Sequence, residues 1–234
     1  MSDEVKTDEK QERATHALIF ELEYVAAKKR QVEFAAIKSA VKTKGVELTP
    51  VSFARSGMSP VPRAAITSVL NQVGKKSDAI EKAVAAVEKE IAAYCANDAE
   101  LDKGLEKLIK AVRAMDIPVL AFTALPETVA VTLMAKLGLD KMGVELVIPD
   151  EVKDSFPRAD SWLKMLKKCD KEDATLVAVV SSQIACKGGL TAGAACIAVP
   201  DEYTAFQDFS GAKLVLDSLG DVKPKEVLDL TLRM

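Results

Sequence analysis

The side chains best suited to chemistry in this sequence stand directly after short apolar segments. Two glutamates, Glu21 and Glu23, follow the first segment, and Thr123 follows the second. Ser181 and Ser182 follow the fourth. A carboxylate can act as a nucleophile or exchange a proton with a substrate, and hydroxyl groups can bind anionic ligands. Because ligands bind beyond the carboxyl ends of the strands in a parallel sheet, we expect these side chains to share one site.

The elements that must position these residues are predicted to be buried strands alternating with helices. Each apolar segment is short and ends at a polar residue or a proline, as buried parallel strands do. Strands that alternate with helices are typical of βαβ units, so we predict an α/β fold with a Rossmann-like parallel sheet. The predicted strands are residues 17–20, 118–122, 144–148, 176–180, 195–199 and 213–216.

The connection between the first two predicted strands is much longer than a crossover requires. It spans nearly a hundred residues, whereas about a dozen or somewhat more are enough. Apolar residues recur at helical spacing from Ala26 to Lys44, from Ile80 to Tyr94 and from Leu101 to Met115. Residues 49–63 contain three prolines and one glycine, which predicts a loop or a break between helices.

These patterns divide the chain into a tail, a core and an insertion. Residues 1–13 are almost entirely polar, and we predict a disordered tail there. The helical surplus in the long connection predicts a cap domain at residues 27–105, inserted after the first strand. Residues 14–26 and 106–234 would then form the α/β core.

Composition limits the partners and the compartment. The net charge of −3 gives no attraction to nucleic acid or to anionic membranes, and no apolar run is long enough to span a bilayer. Four cysteines are widely spaced and His16 is the single histidine, so we expect no metal site. Reduced, mostly buried thiols predict a soluble cytoplasmic protein.

Four segments together resemble the motifs of a known hydrolase family. Residues 17–23 read Ala-Leu-Ile-Phe-Glu-Leu-Glu, and residues 117–123 read Ile-Pro-Val-Leu-Ala-Phe-Thr. Pro157 and Asp160 stand at the start of the helix predicted from Arg158 to Cys169, and residues 192–193, Ala-Gly, precede the fifth strand. Over nearly the whole chain, the sequence resembles the haloacid dehalogenase-like hydrolases, in the branch of phosphoglycolate phosphatase and β-phosphoglucomutase.

The resemblance implies a phosphatase whose catalytic residues are largely replaced. In the family, one Asp attacks phosphate, a second protonates the leaving group, and a further Asp helps to hold magnesium. Glu21 and Glu23 stand at the first two positions, and Ser181 stands where the family has an acidic residue. Phe156 stands at the position of the third-motif lysine. Thr123 keeps the position of the hydroxyl residue that binds phosphate.

Each replacement removes part of the catalytic machinery. The extra methylene of Glu21 moves its carboxylate by roughly an ångström, and misplacement of that size can cost about 100-fold in rate. Ser181 lacks the negative charge that magnesium prefers, and Phe156 supplies no cation to the transferring phosphoryl group. We therefore expect no cofactor, little or no phosphatase activity, and a role in binding a small phosphorylated metabolite or a protein partner.

Alternatives remain open on the sequence alone. The protein could be an active hydrolase that uses Glu21 as nucleophile with magnesium, or a purely structural interaction module. Glu21 and Glu23 could be solvated residues at a strand end that nothing neutralises. Lys153 or Lys187 could replace the missing cation, although both are more typical of surface lysines. Thr123 could be only the cap of the helix that starts near residue 127.

Overall fold

The computed structural model describes residues 16–150, 152, 157–168 and 175–232. The predicted tail at residues 1–13 lies outside the described residues, as do Lys153 and Phe156.

The described residues form a six-stranded sheet in the order β3-β2-β1-β4-β5-β6. Every neighbouring pair is parallel, so the carboxyl ends of all strands meet at one edge. The central strand β1 is apolar and buried, because sheet neighbours flank it and helices cover both faces. The predicted Rossmann-like parallel sheet is confirmed. Its strands are β1 His16–Glu21, β2 Val119–Phe122, β3 Glu145–Val147, β4 Thr175–Val180, β5 Ala195–Ala198 and β6 Leu214–Val215.

Helices connect the successive strands from β1 to β5, whereas turns connect β5 to β6. The first five helices lie between β1 and β2. The helix α5 packs against β2 and α9, whereas α1 packs against α3 and α4. The division of the chain at residues 27–105 stays a prediction. The helices are α1 Arg30–Lys42, α2 Pro50–Ser56, α3 Pro62–Gln72, α4 Glu81–Asn97, α5 Lys103–Arg113, α6 Glu127–Leu137, α7 Ala159–Lys168, α8 Gln183–Thr191 and α9 Pro224–Leu232.

The proline-rich segment at residues 49–63 is mostly helical, so the prediction of a loop there was wrong over Pro50–Ser56. Thr49 caps α2, because its Oγ1 accepts a hydrogen bond from the Ser52 N–H at 3.2 Å. The Ser52 Oγ accepts in return from the Thr49 N–H at 3.0 Å. Pro50 and Pro62 each stand at the first position of a helix, where a missing N–H costs nothing. Only residues 57–61 form the break.

The segment after β1 folds back over the end of the sheet. Helical spacing predicted a helix from Ala26, but α1 begins at Arg30. Residues Leu22–Ala26 instead form one turn of π-helix, a rare conformation often found at functional sites. Lys28 then adopts a left-handed conformation with φ of 50°, and its ammonium contacts Asp102 at 2.8 Å. This turn places the first residues of α1 over the carboxyl end of β1.

Aromatic contacts join the layers of the molecule. Phe122, at the end of β2, packs edge-on against the buried Trp162 of α7, with ring centroids 4.7 Å apart. On the opposite face, Phe34 of α1 and Phe53 of α2 contact Tyr203, which follows β5, at 5.4 and 5.1 Å. The inserted helices are therefore attached to the sheet layer by ring packing. No helix in the described part of the chain is long and apolar enough to cross a lipid bilayer.

A close approach at Gly104 of α5 gives a first testable prediction. A Cβ at this position would lie 2.5 Å from the backbone nitrogen of Gly220, which cannot move away as a side chain could. Gly104→Ala should therefore lower the free energy of unfolding by about 1–3 kcal/mol, although alanine normally favours a helix. Urea unfolding measures the change, and Lys107→Ala on the exposed face of α5 is the control. Equal or greater stability of Gly104→Ala would contradict the close approach.

Candidate functional site

Glu21 ends β1 and is buried, with 2% of its surface exposed. Its Oε2 accepts hydrogen bonds from the Ser181 N–H at 2.5 Å and from the Ser181 Oγ at 2.7 Å. Loss of hydration raises the pKa of Glu21 from 4.5 to about 7, although Arg30 and the two Ser181 hydrogen bonds oppose this shift. A large fraction of Glu21 is therefore protonated near neutral pH.

Arg30, the first residue of α1, places a cation beside Glu21. Its Nη2 donates to the Ser181 Oγ at 3.0 Å, and its Nη1 pairs with the Asp201 carboxylate. The guanidinium carbon lies 4.2 Å from the centroid of the Tyr24 ring. Only 4% of Arg30 is exposed. Burial works to lower the pKa of Arg30, but the charge of Asp201 and its hydrogen bond with the guanidinium help to outweigh burial and raise the pKa, so this cation is permanent.

Glu23 lies beside Glu21 and is equally buried. Its Oε1 accepts a hydrogen bond from the Ala124 N–H at 2.8 Å. Burial raises the pKa of Glu23, while Lys29, the Ala124 N–H and the Thr123 hydroxyl partly lower it. The Glu23 Oε2 is buried and has no hydrogen-bond partner among the described residues. This oxygen is therefore an unsatisfied polar atom buried in the site.

Lys29 supplies a second buried cation, which lies near Glu33 and Glu23. Its Nζ lies 3.4 Å from Glu33 Oε1 and 4.9 Å from the centroid of the Tyr24 ring. Burial and the nearby charges of Glu33 and Glu23 raise the pKa of Tyr24 well above its usual value, so its phenol stays protonated. In the described part of the chain the buried Tyr24 hydroxyl has no hydrogen-bond partner.

A cavity of about 480 Å³ opens above these residues. Glu21 and Glu23 lie on the side formed by the end of β1, and the exposed Arg55 comes from α2. Ser182 and Gln183 line the cavity at the first turn of α8. The volume is within the range of small-molecule sites, and the lining is rich in hydrogen-bonding groups.

The donor set does not fit magnesium, the ion that the family resemblance implies. Magnesium requires about six oxygen ligands in octahedral geometry, and carboxylates are its usual protein ligands. Here the Ser181 Oγ donates to Glu21 and accepts from Arg30, so the oxygen is already engaged. The adjacent guanidinium repels a second cation. The described residues contain no group of three or more His, Cys, Asp or Glu side chains that could hold a metal ion.

The structure brings together Glu21, Glu23, Thr123 and Ser181, the predicted site residues that it describes. Glu21 and Glu23 are not solvated, so that interpretation was wrong: the chain turn after β1 buries both carboxylates. Thr123 does not cap α6, whose N-cap residue is Pro126. Its Oγ1 instead accepts a hydrogen bond from the Leu125 N–H at 3.0 Å. The role of Thr123 in binding phosphate stays a prediction.

The cations of the site are residues that sequence reasoning did not select. Glu21 and Glu23 were expected to lack neutralising groups, but Arg30 and Lys29 supply them. Lys187 lines the cavity, yet it pairs with Asp208 at 3.1 Å. Two signals were available. Three consecutive basic residues, Lys28 to Arg30, lead into the start of α1, where the helix dipole disfavours cations, and Asp201 follows β5 at the same sheet edge.

Comparisons with known proteins place this geometry in context. No protein-family model matches the chain. A curated relative, the plasmid-encoded CbbY protein of Cupriavidus necator, is 29% identical over 124 residues. The match covers 52% of this chain and 49% of that protein, so the chain matches about half the length of its curated relative.

Solved structures resemble the chain over most of its length. CbbY from Rhodobacter sphaeroides in complex with phosphate shares 19% identity with a TM-score of 0.73, covering 89% of this chain and 96% of that chain. A haloacid dehalogenase-like (HAD) hydrolase, family IA variant 3, from Entamoeba histolytica shares 19% identity with a TM-score of 0.75, covering 93% of this chain and 100% of that chain. β-Phosphoglucomutase from Clostridium difficile shares 14% identity with a TM-score of 0.74, covering 94% and 98%. These neighbours are haloacid dehalogenase-like hydrolases of family IA, and the chain has their fold.

Proposed function

We propose that this protein binds a small phosphorylated metabolite in the cavity above Glu21 and does not hydrolyse it. The proposal depends on one observation: Glu21 lines an open cavity, but its carboxyl group is hydrogen-bonded and partly protonated. The carboxylate accepts two hydrogen bonds from Ser181 and has a pKa of about 7. A nucleophile must be ionised and free to attack, and Glu21 meets neither condition well.

Replacement of the catalytic residues also argues against hydrolysis. The site offers no good place for magnesium, and Phe156 stands where the family resemblance places a lysine. Charge developing on a transferring phosphoryl group would therefore lack two of its usual partners. Hydrolysis that uses Glu21 as nucleophile remains the alternative activity, because Glu21 lines the cavity at the correct end of β1.

Binding is supported by polar residues that line the cavity. Tyr24 and Glu23 are among the lining residues, and the Tyr24 hydroxyl and the Glu23 Oε2 are buried atoms without a hydrogen-bond partner among the described residues. A protonated phenol can donate to a phosphoryl oxygen, and a carboxyl group can pair with a sugar hydroxyl. The exposed Arg55 adds a cation suited to phosphate.

The named ligands of a structural neighbour indicate the class of metabolite to test. CbbY from Rhodobacter sphaeroides was solved with phosphate and, as a mutant, with xylulose-(1,5)bisphosphate. Sugar phosphates therefore form the first panel for this protein. A protein partner in place of a metabolite would leave this panel without effect.

A paired binding and turnover experiment tests the proposal. Sugar phosphates should raise the thermal midpoint of the wild type, and calorimetry should give a one-to-one complex. Arg55→Ala and Tyr24→Phe should each weaken binding about 5- to 100-fold, as expected for the loss of one hydrogen bond or one exposed charge contact to phosphate. The matched control is Arg63→Ala, an exposed arginine of α3 that does not line the cavity.

Phosphate release in the presence of magnesium separates the proposal from its rivals. The wild type should release no more phosphate than Glu21→Gln from the same panel. Turnover by the wild type that Glu21→Gln abolishes would establish the hydrolase alternative. If no sugar phosphate shifts the midpoint, the metabolite proposal fails and the interaction module is favoured.

We also propose a cytoplasmic location. Cys95, Cys186 and Cys196 are buried free thiols, and the Cys196 Sγ lies 3.5 Å from the backbone oxygen of Cys186. Unbridged cysteines so close together are typical of proteins kept in a reducing compartment. Fractionation of cells that produce the tagged protein tests this, and recovery from an oxidising compartment would contradict it.

A further inference from the structure

We propose that the Arg30 guanidinium is a built-in cation that takes the place of a divalent metal ion at the carboxyl end of β1. This role of Arg30 is separate from the ligand-binding function proposed above, because it concerns the acidic groups of the site and not its ligand. Removal of the guanidinium should therefore convert the site into one that binds a metal ion.

Three residues hold the Arg30 guanidinium in position. Ser181 accepts a hydrogen bond from Nη2 at 3.0 Å, the Asp201 carboxylate pairs with Nη1, and the Tyr24 ring lies against the guanidinium plane at 4.2 Å from the centroid to the carbon. A planar group with forked donors suits two acceptors at once. A side chain that is almost fully buried and held by three residues has little freedom to leave the site.

Arg30 is joined to two carboxyl groups at the carboxyl end of β1, and a third lies beside them. Asp201 is paired directly with the guanidinium, and Glu21 is joined to it through the shared Ser181 hydroxyl. Glu23, whose nearby cation is Lys29, adds a second buried carboxyl group, and its Oε2 is unpartnered among the described residues. Buried carboxylates need a compensating positive charge. Arg30 supplies that charge within the chain, so no metal ion is required.

The arrangement also explains why a serine is tolerated at position 181. A carboxylate there would serve a metal ion, but the hydroxyl serves Arg30 better, because it accepts from the guanidinium while donating to Glu21. One side chain thus satisfies the cation and the anion together.

Metal titration of Arg30 variants tests the proposal. Arg30→Gln keeps a hydrogen-bond donor but removes the charge, Arg30→Lys keeps the charge, and Arg63→Met is the control at an exposed, paired arginine. Manganese binding is followed by electron paramagnetic resonance at pH 8.5, and magnesium binding by calorimetry. Arg30→Gln should bind manganese at least about tenfold more tightly than the wild type, since loss of one adjacent charge exceeds the about 1.4 kcal/mol equivalent to tenfold.

The remaining outcomes are equally decisive. The wild type, Arg30→Lys and Arg63→Met should show no manganese site, and adding Glu21→Gln to Arg30→Gln should abolish the new one. A wild-type manganese site that depends on Glu21 overturns the proposal, as does a folded Arg30→Gln variant without one. If Arg30→Gln does not fold without metal, manganese should restore its circular dichroism, and failure of manganese to do so contradicts the proposal.

Discussion

A variant carrying Glu21→Asp, Glu23→Asp, Phe156→Lys and Ser181→Asp should remain without phosphatase activity while Arg30 is present. Adding Arg30→Gln to these four changes should raise kcat for simple phosphate esters by at least about 10³-fold, because catalytic groups act as one assembly. The measurement is phosphate release in the presence of magnesium. Each single change should stay at the background rate.

The physical reason for this expectation is the charge of the guanidinium. In the fourfold variant, the carboxylate introduced at position 181 would replace the hydroxyl that lies 3.0 Å from the Arg30 Nη2. It would form a buried ion pair with Arg30, and a metal ion would have to displace that pair. Such pairs are costly to separate once buried. Removing the charge of Arg30 leaves the new carboxylates free to hold magnesium.

Two results would count against this explanation. Activity in the fourfold variant would show that Arg30 does not exclude the metal ion. Inactivity of the fivefold variant, if it folds and binds magnesium, would show that the cavity no longer positions a phosphate ester. Circular dichroism and magnesium calorimetry on the same preparations distinguish these cases from loss of the fold.

The free energy of unfolding should fall as pH rises from 4.5 to 7, because Glu21 titrates differently in the two states. Its pKa is 4.5 when solvated and about 7 in the folded protein. Below pH 4.5 both states hold the proton, so burial of Glu21 is cheapest there. Between these two pKa values Glu21 ionises only in the unfolded chain. Above pH 7 it ionises in both states, and the decrease in the free energy of unfolding is complete. The whole effect is about 3 kcal/mol, at about 1.4 kcal/mol per pH unit.

Substitution of Glu21 isolates this effect. Between pH 4.5 and 8, the wild type should lose about 3 kcal/mol more stability than Glu21→Gln. Glu23→Gln should reduce the pH dependence in the same direction, because burial also raises the pKa of Glu23. Glu88→Gln, on the exposed face of α4, is the control. Urea unfolding at several pH values measures the slopes, and identical slopes for the wild type and Glu21→Gln would refute the raised pKa.

The sheet could be predicted because each strand carries its own local signal. Residues 17–20, 118–122 and 176–180 are apolar runs ended by polar residues, and they form three adjacent strands. The short helix Pro50–Ser56 was missed because the three prolines of residues 49–63 were interpreted as breaks. Their effect depends on position, and Thr49 makes Pro50 the first residue of a capped helix.

The candidate site could be predicted only in part. The rule that ligands bind beyond strand ends selected Glu21, Glu23 and Ser181, because it needs only the strand pattern. It did not select Arg30, which reaches the same edge from a helix. That placement depends on the π-helical turn and on the left-handed Lys28. Neither conformation has a sequence signal comparable to an apolar strand.

The contacts of the site join residues that are far apart in the chain, so the site can form only late in protein synthesis. Glu21 contacts a serine 160 positions later, and Arg30 pairs with a carboxylate 171 positions later. The ribosome adds Glu21 and Arg30 early in synthesis and adds their partners, Ser181 and Asp201, near the end. Contacts between such distant positions wait until both segments have been made. Until β4 and β5 emerge, Glu21, Glu23 and Arg30 belong to a nascent chain whose charges still face water.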